Sequence, residues 1–119
     1  MRCRPTWSPN ERFSTTVVTF EEHMRGWLAG TRRARDVADQ IRPYDQLIKL
    51  VRFFQAWEIL RFAPNSAAIF SSLRQQRVRI GTLDLKIASI ALEHDALLLS
   101  ANLRDFQQVS ALKVENWLQ

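Results

Sequence analysis

Cysteine is almost absent from this 119-residue sequence, in which Cys3 is the only one. That absence excludes an intramolecular disulfide, a cysteine-rich zinc site and the class of small secreted domains held together by disulfides. A reducing cytoplasm is the compartment that this composition favours. A membrane-spanning segment is not expected either, because the longest apolar runs, near 83–92 and 96–101, fall far short of the ~20 residues that a bilayer requires.

Glycine is also scarce. The three glycines are too widely separated to form either phosphate-binding loop, GxGxxG or GxxxxGK[ST], and no GxSxG nucleophile motif occurs. The opening residues, MRCRPTWSPNER, lack the unbroken apolar stretch of a secretory signal. Nucleotide-binding loops, serine-hydrolase chemistry and a leader peptide are therefore not expected.

The composition is that of a globular protein, with 46% hydrophobic, 10% aromatic and 24% charged residues. We therefore predict a single domain over 1–119, in which 1–13 are atypical. The formal charge is +5, and most of the basic residues are arginine, whose planar guanidinium suits phosphate. A polyanionic partner such as RNA is compatible with this charge, although charge alone is a weak guide.

The apolar patterning predicts strands alternating with pairs of helices. Strands are predicted at 14–20, 57–62, 96–101 and 112–117, the third as a buried parallel strand and the last as an edge strand. Amphipathic helices are predicted from Glu21 through Leu28, from Pro43 through Phe54 and from Asn65–Ser66 up to Gly81. A fourth helix is predicted at 83–94, where apolar residues cover most of the circumference. A polar loop is predicted at 102–108, after the third strand. This alternation indicates an α/β sandwich around a mostly parallel sheet.

Three acids are placed where such a sheet binds ligands, close to the carboxyl ends of its strands: Glu22, Asp84 and Asp105. Each also has a structural explanation, because an acid near a helix start complements the helix dipole. The basic cluster at 31–35 is most simply a solvated helix end that could also contact RNA.

Two stretches carry a family resemblance. Residues 79–106 read RIGTLDLKIASIALEHDALLLSANLRDF, and residues 114–117 read VENW. Upstream, residues 19–26 read TFEEHMRG, with a threonine, a glutamate three residues on and a glycine four further. In this order the motifs closely resemble PIN-domain proteins, most of all the VapC toxins of bacterial toxin–antitoxin pairs, over about 14–118.

The resemblance implies a three-layer α/β/α fold and a Mg²⁺- or Mn²⁺-dependent endoribonuclease, silenced by a cognate VapB-like antitoxin. It implies that Glu22, Asp84 and Asp105 are the catalytic and metal-binding acids, supported by the polar side chains of Thr19 and Asn102. Hard divalent cations do prefer oxygen ligands, and a bound metal can activate water against a phosphodiester.

Contacts with RNA and with a second copy are less clearly marked. Weak candidates for binding RNA are Arg32, Arg33, Arg35 and Arg104. A homodimer would use helical surfaces, to which Trp27 or the pair Phe53–Phe54 could contribute.

One departure from the family matters. A PIN domain usually opens with a short apolar strand, central in the sheet, that ends in the first catalytic aspartate. Residues 1–13, MRCRPTWSPNERF, contain two prolines and no aspartate, and we expect no strand there. Either the natural protein starts upstream, by roughly 20 to 30 residues, or the chain is a remnant without its central strand and a principal ligand.

Two functions follow. The first is a metal-dependent ribonuclease toxin that hydrolyses RNA phosphodiesters with metal-activated water. The alternative is an N-terminally truncated, inactive PIN-like module that still binds an antitoxin or RNA. A basic α/β binding protein unrelated to this family would require the motif agreement to be chance.

Overall fold

The computed structural model describes residues 2–5 and 14–116 of the chain. The strands there are β1 Arg2–Pro5, β2 Ser14–Thr16, β3 Glu58–Leu60, β4 Ala96–Leu99 and β5 Lys113–Glu115. The helices are α1 Val17–Arg33, α2 Ile41–Gln55, α3 Pro64–Gln75, α4 Thr82–Glu93 and the short α5 Leu103–Phe106, with a 3-10 turn Ala38–Gln40 before α2. None of the helices in the described ranges is long and apolar enough to cross a membrane.

One sheet joins these strands in the order β3-β2-β1-β4-β5. β2 is parallel to β3 and β4 is parallel to β5, whereas β1 is antiparallel to both of its neighbours. The other four strands therefore run in one direction. Helices α1 and α2 lead from β2 to β3, and α3 and α4 lead back across the sheet to β4, so right-handed crossovers place the two pairs on opposite faces. The predicted α/β/α sandwich around a mostly parallel sheet is confirmed.

The middle of the sheet is occupied by β1, a strand that the sequence did not predict. It pairs with β4 from Arg2 opposite Leu99 to Pro5 opposite Ala96, and with β2 on its other side. The expectation that 1–13 hold no strand was therefore wrong, because strand pairing uses backbone groups and any extended segment can supply them. The strand is reversed, so its first residue and not an aspartate lies at the carboxyl end of β4.

Helix α1 begins at Val17, four residues earlier than its pattern predicted. The strand expected at 14–20 ends at Thr16, whose Oγ1 accepts a 3.0 Å hydrogen bond from the N–H of Thr19 and so caps the helix. Glu22 consequently lies in the second turn of α1 and not at its start. The attraction of an acid to the positive end of the helix dipole falls off within the first turn. Interaction with the dipole therefore does not explain why an acid occupies position 22.

The other elements lie near their predicted positions, with shorter strands. Strands expected at 57–62, 96–101 and 112–117 are reduced to β3, β4 and β5, and Trp117 lies outside the described residues. Helix α3 ends at Gln75 and not at Gly81, which is the residue before α4. The loop expected at 102–108 contains α5.

Helix α4 and strand β4 form the centre of the core. Ile87, Ala88, Ile90 and Ala91 of α4 are fully buried, as is Leu98 of β4. Their cluster includes residues of α1, β3, α3 and α5, so α4 contacts both halves of the fold. The prediction that this helix is largely buried is confirmed, and its first turn is held firmly in place.

We expect Leu98→Ala to lower the free energy of unfolding by about 2–5 kcal/mol, because it leaves a cavity beside α4 in a fully buried part of the sheet. Urea denaturation followed by circular dichroism measures the change. Val37→Ala is the control: Val37 is 79% exposed, so that substitution should stay within about 0.5 kcal/mol of the wild type. Equal losses for both variants would contradict the assigned core.

Candidate active site at the carboxyl edge of the sheet

The three predicted acids come to the same edge of the sheet from three different helices. Helix α1 follows β2 directly, so its first two turns, with Glu22, rise from the carboxyl end of that strand. Helix α4 runs back toward β4 and therefore begins at the same edge, where Asp84 lies in its first turn. Asp105 lies in α5, which follows the carboxyl end of β4. We call Glu22, Asp84 and Asp105 the acidic edge.

Asp84 is the electrostatic centre of the acidic edge. Burial raises the pKa of the Asp84 carboxyl, and repulsion from Asp105 raises it further. Burial also raises the pKa of Glu22, and the next contribution is repulsion from Asp84. Repulsion of this kind requires that the carboxylates lie near one another. Glu22 and Asp84 are therefore close enough to interact electrostatically, as are Asp84 and Asp105.

The donor chemistry of the acidic edge suits a hard cation, because Mg²⁺ and Mn²⁺ prefer carboxylate oxygens. The geometry is looser than a complete metal centre. Within 2–5 and 14–116, no three Asp, Glu, His or Cys side chains are placed so that they could hold a metal ion together. The acids thus form neighbouring pairs, and the assignment of Glu22, Asp84 and Asp105 as metal ligands stays a prediction.

Asn102 is held beside Asp105 by a direct contact. Its Nδ2 donates a 2.9 Å hydrogen bond to Oδ2 of Asp105, and its backbone N–H donates to Oγ of the buried Ser100 at 3.0 Å. Asn102 is also the residue that precedes α5. The bond fixes the Asp105 carboxylate at the end of β4, so Asn102 orients an acid of the edge.

Thr19 makes its described contacts within the first turn of α1, and its supporting role in the site stays a prediction. Its side chain is buried, and its Oγ1 lies 2.9 Å from Oγ1 of Thr16, the residue that caps α1. The two hydroxyls and the Thr19 N–H tie the first turn of the helix together. Among the contacts described, Thr19 thus stabilises the helix that carries Glu22.

The arginines proposed to bind RNA fall into two separate places. Arg32 and Arg33 are exposed in the last turn of α1, and Arg35 is exposed just beyond it. Ten residues separate Glu22 from Arg32, which is about 15 Å along a helix. Arg104, by contrast, is exposed on α5 beside Asp105. Only Arg104 lies at the acidic edge, and all four stay predictions.

The residues expected to support a homodimer are mostly engaged within the chain. Phe54 is 3% exposed and packs edge-on against Phe20 at 4.9 Å, so its expected place at a surface was wrong. It belongs to the seam between α1 and α2. Trp27 is partly buried against Tyr44, and Phe53 is exposed but packs against Trp57.

A cavity that the motifs did not predict opens beside Glu22, between α1 and α2. Its volume is about 440 Å³, and we call it the α1–α2 cavity. It is lined by Glu22, His23, Gly26, Trp27, Gln46 and Leu50. The sequence feature that could have indicated this cavity is the i, i+1, i+4, i+5 spacing from Glu22 to Trp27. On a helix, this spacing places a glycine and an aromatic residue one turn after the acid and on the same face.

Comparison with known proteins supports both the motifs and the fold. No protein-family model matches the chain. A ribonuclease VapC2 from Haemophilus influenzae is 37% identical over 70 residues, which cover 56% of this chain and 53% of that protein. A ribonuclease VapC1 from Rickettsia felis is 42% identical over 84 residues, which cover 64% of this chain and 63% of that protein. The chain thus spans about half the length of the first relative and less than two thirds of the second.

Solved structures agree with this similarity. The VapBC2 complex of Rickettsia felis, bound to a DNA fragment from its promoter, matches with a TM-score of 0.70 and 25% identity, over 87% of this chain and 74% of that chain. The architecture is therefore that of a PIN-like α/β/α domain. Within that class, the resemblance of this chain to the VapC toxins is confirmed in both sequence and fold.

The raised pKa values predict a pH-dependent stability. An acid whose pKa is higher in the folded than in the unfolded state destabilises the fold once it ionises, and this penalty disappears when the pH falls below the unfolded value. In chelator-containing buffer, Asp84→Asn should therefore raise the melting temperature by a few degrees at pH 7. The gain should shrink as the pH approaches about 4, near the pKa of an unperturbed aspartate.

Thermal melts between pH 4 and 8 measure this effect. Asp45→Asn, at an exposed position of α2, is the control and should leave the melting temperature unchanged at every pH. A melting temperature for Asp84→Asn at or below that of the wild type at pH 7 would show that burial and repulsion do not penalise the charged form of Asp84 in the folded state.

Proposed function

We propose that this protein is a ribonuclease toxin of a toxin–antitoxin pair and acts in the cytoplasm on RNA. The observation that carries the proposal is that the helices bearing Glu22, Asp84 and Asp105 meet at the carboxyl edge of a PIN-like sheet. Relatives that match 56% and 64% of the chain are named ribonucleases.

We further propose that the acidic edge binds Mg²⁺ or Mn²⁺. Such a cation, when bound, supplies an activated water and neutralises charge on the phosphate. Burial raises the pKa values of Glu22 and Asp84, and repulsion from Asp84 and from Asp105, respectively, raises them further, so a bound cation would relieve part of the cost of ionising these side chains. Asn102 holds the Asp105 carboxylate in position through its amide, which leaves the second carboxylate oxygen of Asp105 for a further ligand.

Asp84→Asn should abolish cleavage of a labelled RNA in the presence of Mg²⁺ or Mn²⁺, with a loss of about a hundred-fold or more, because a metal site contributes several kcal/mol to the transition state. It should also relieve growth arrest when the protein is produced in bacteria. Gel assays of cleavage and growth curves measure the two effects, with Asp45→Asn as the unaffected control. Cleavage by Asp84→Asn at the wild-type rate would refute the assignment.

A second candidate function, a PIN-like module that binds but does not cleave, is favoured by two observations. The reversed β1 brings Arg2, and not an acid, to the carboxyl end of β4, and the described residues do not assemble three metal ligands. A domain of this kind could keep its binding surfaces without catalysis. The wild type would then cleave no RNA, and Mg²⁺ would not raise its melting temperature. A rise that Asp84→Asn abolishes supports the metal-dependent enzyme instead.

We propose that the antitoxin binds the exposed side of α2. An apolar stripe there consists of Ile41, Tyr44, Ile48 and Val51, which recur at three- and four-residue steps and are 43–62% exposed. A contiguous exposed apolar surface of this kind is typical of a protein–protein interface, and an amphipathic helix fits such a stripe. The solved VapBC complexes that share this fold contain an antitoxin as well as a toxin. A homodimer is a second way to cover the stripe.

Ile48→Asp should abolish co-purification with the antitoxin when the chain is co-expressed with the small reading frame beside its gene. Lys49→Asp is the control, because it introduces the same side chain on the same helix but outside the stripe. Equal retention of the antitoxin by both variants would show that the stripe is not its binding site, and size-exclusion chromatography of the wild type alone reports the homodimer.

A further inference from the structure

We infer that the α1–α2 cavity is a nucleobase-binding subsite, which receives a base of the RNA next to the phosphate held at the acidic edge. The inference rests on the proposed function for its choice of RNA as the ligand. Its geometric basis is that Glu22 lies in the helix that rises from the carboxyl end of β2 and also lines the wall of the cavity. A nucleotide whose base entered the cavity would therefore have its sugar-phosphate at that edge.

The aromatic part of the cavity is held rigidly. The Nε1–H of Trp27 donates a 2.6 Å hydrogen bond to the carbonyl of Pro43, and its ring packs edge-on against Tyr44 at 5.5 Å. The ring of His23 packs at 5.8 Å against the buried Phe54. Proteins bind unpaired RNA bases by stacking them on such rings, and a fixed ring loses little conformational freedom when a base binds.

The remaining lining is suited to a flat polar ligand. Gln46 is exposed, and its amide can donate to and accept from the edge of a base. Leu50 supplies an apolar wall, and Gly26 leaves space, because a Cβ at that position would meet no atom within 4 Å. Polar and aromatic side chains thus dominate, whereas the apolar stripe suited to a protein helix lies elsewhere on α2. This contrast favours a base over a protein segment as the occupant.

The test uses the full chain in chelator-containing buffer and measures fluorescence anisotropy with labelled RNA octamers. The probes are four homopolymers and an abasic octamer with the same phosphates. The wild type should bind at least one homopolymer roughly tenfold more tightly than the abasic probe, which is the effect of one stacked base. Equal affinity for all five probes, or no binding to any of them, would overturn the inference.

Two glycines of α1 provide a matched pair of variants. Gly26→Leu should fill the cavity and remove the difference between homopolymer and abasic probe, whereas Gly30→Leu should keep it. Both positions are exposed on the same helix with open space for a side chain, but only Gly26 lines the cavity. Gln46→Ala, at an exposed position, should change the ranking of the four homopolymers without changing affinity for the abasic probe.

The outcomes separate this inference from the proposed function. If the wild type cleaves RNA but Gly26→Leu and Gly30→Leu bind alike, the subsite is wrong and the nuclease stands. If the wild type does not cleave RNA but shows base-dependent binding that Gly26→Leu removes, the subsite stands without the nuclease. If Gly26→Leu prevents capture of the antitoxin and leaves the RNA affinities unchanged, the cavity receives a protein segment and the inference is overturned.

Discussion

The continuity of the sheet depends on the backbone pairing of β1 with β2 on one side and with β4 on the other. β2 and β3 form one parallel pair, and β4 and β5 form another, so β1 is the strand that joins the two pairs. The acids of the edge come from both halves: Glu22 follows β2, whereas Asp84 and Asp105 flank β4 in the chain. The distance between Glu22 and Asp84 therefore depends on a strand that contributes no acid itself.

The reversed direction of β1 changes the chemistry of the edge while it preserves the fold. A parallel strand in this place would present its last residue to the edge, where a PIN domain usually carries its first aspartate. Here the edge meets the first residue of the strand, and the acids are those of α1, α4 and α5. Burial and repulsion raise the pKa values of Glu22 and Asp84 without a carboxylate from the strand, so the proposed cation site would depend on acids of the helices alone.

Side-chain patterns predicted most of this structure, and backbone effects account for the parts they missed. The apolar run of α4 and the alternation of Leu112 and Val114 against exposed Lys113 and Glu115 indicate burial directly, and both were predicted correctly. The start of α1 was not, because the β-branched residues at 14–19 favour a strand while the Thr16 cap starts a helix. The residues of β1 show no strand-like pattern of side chains, because backbone pairing with β2 and β4 determines its extended conformation.

Of the candidate site, the sequence motifs predicted the acids but not the cavity beside them. Motif order predicted Glu22, Asp84 and Asp105 as site residues, and their roles stay a prediction, although the helices that carry them begin at the same edge of the sheet. The α1–α2 cavity could not be foreseen, because Gln46 and Leu50 join Glu22 and Trp27 only through the packing of two helices.

Helices α1 and α2 together carry the cavity, the basic residues proposed to bind RNA and the apolar stripe proposed to bind the antitoxin, each at a different place on their surfaces. The second turn of α1 carries Glu22 and the start of the cavity, and its last turn carries Arg32 and Arg33, about 15 Å further along the axis. An RNA that touches both the acidic edge and those arginines must therefore follow α1 past the cavity. The apolar stripe lies on another face of α2, with Ile48 and Val51 exposed while Leu50 turns toward α1. A helix bound to that stripe would leave the path along α1 open unless it extended beyond the stripe. If an antitoxin binds as proposed, it would therefore block that path only with a segment that reaches from the stripe to the acidic edge.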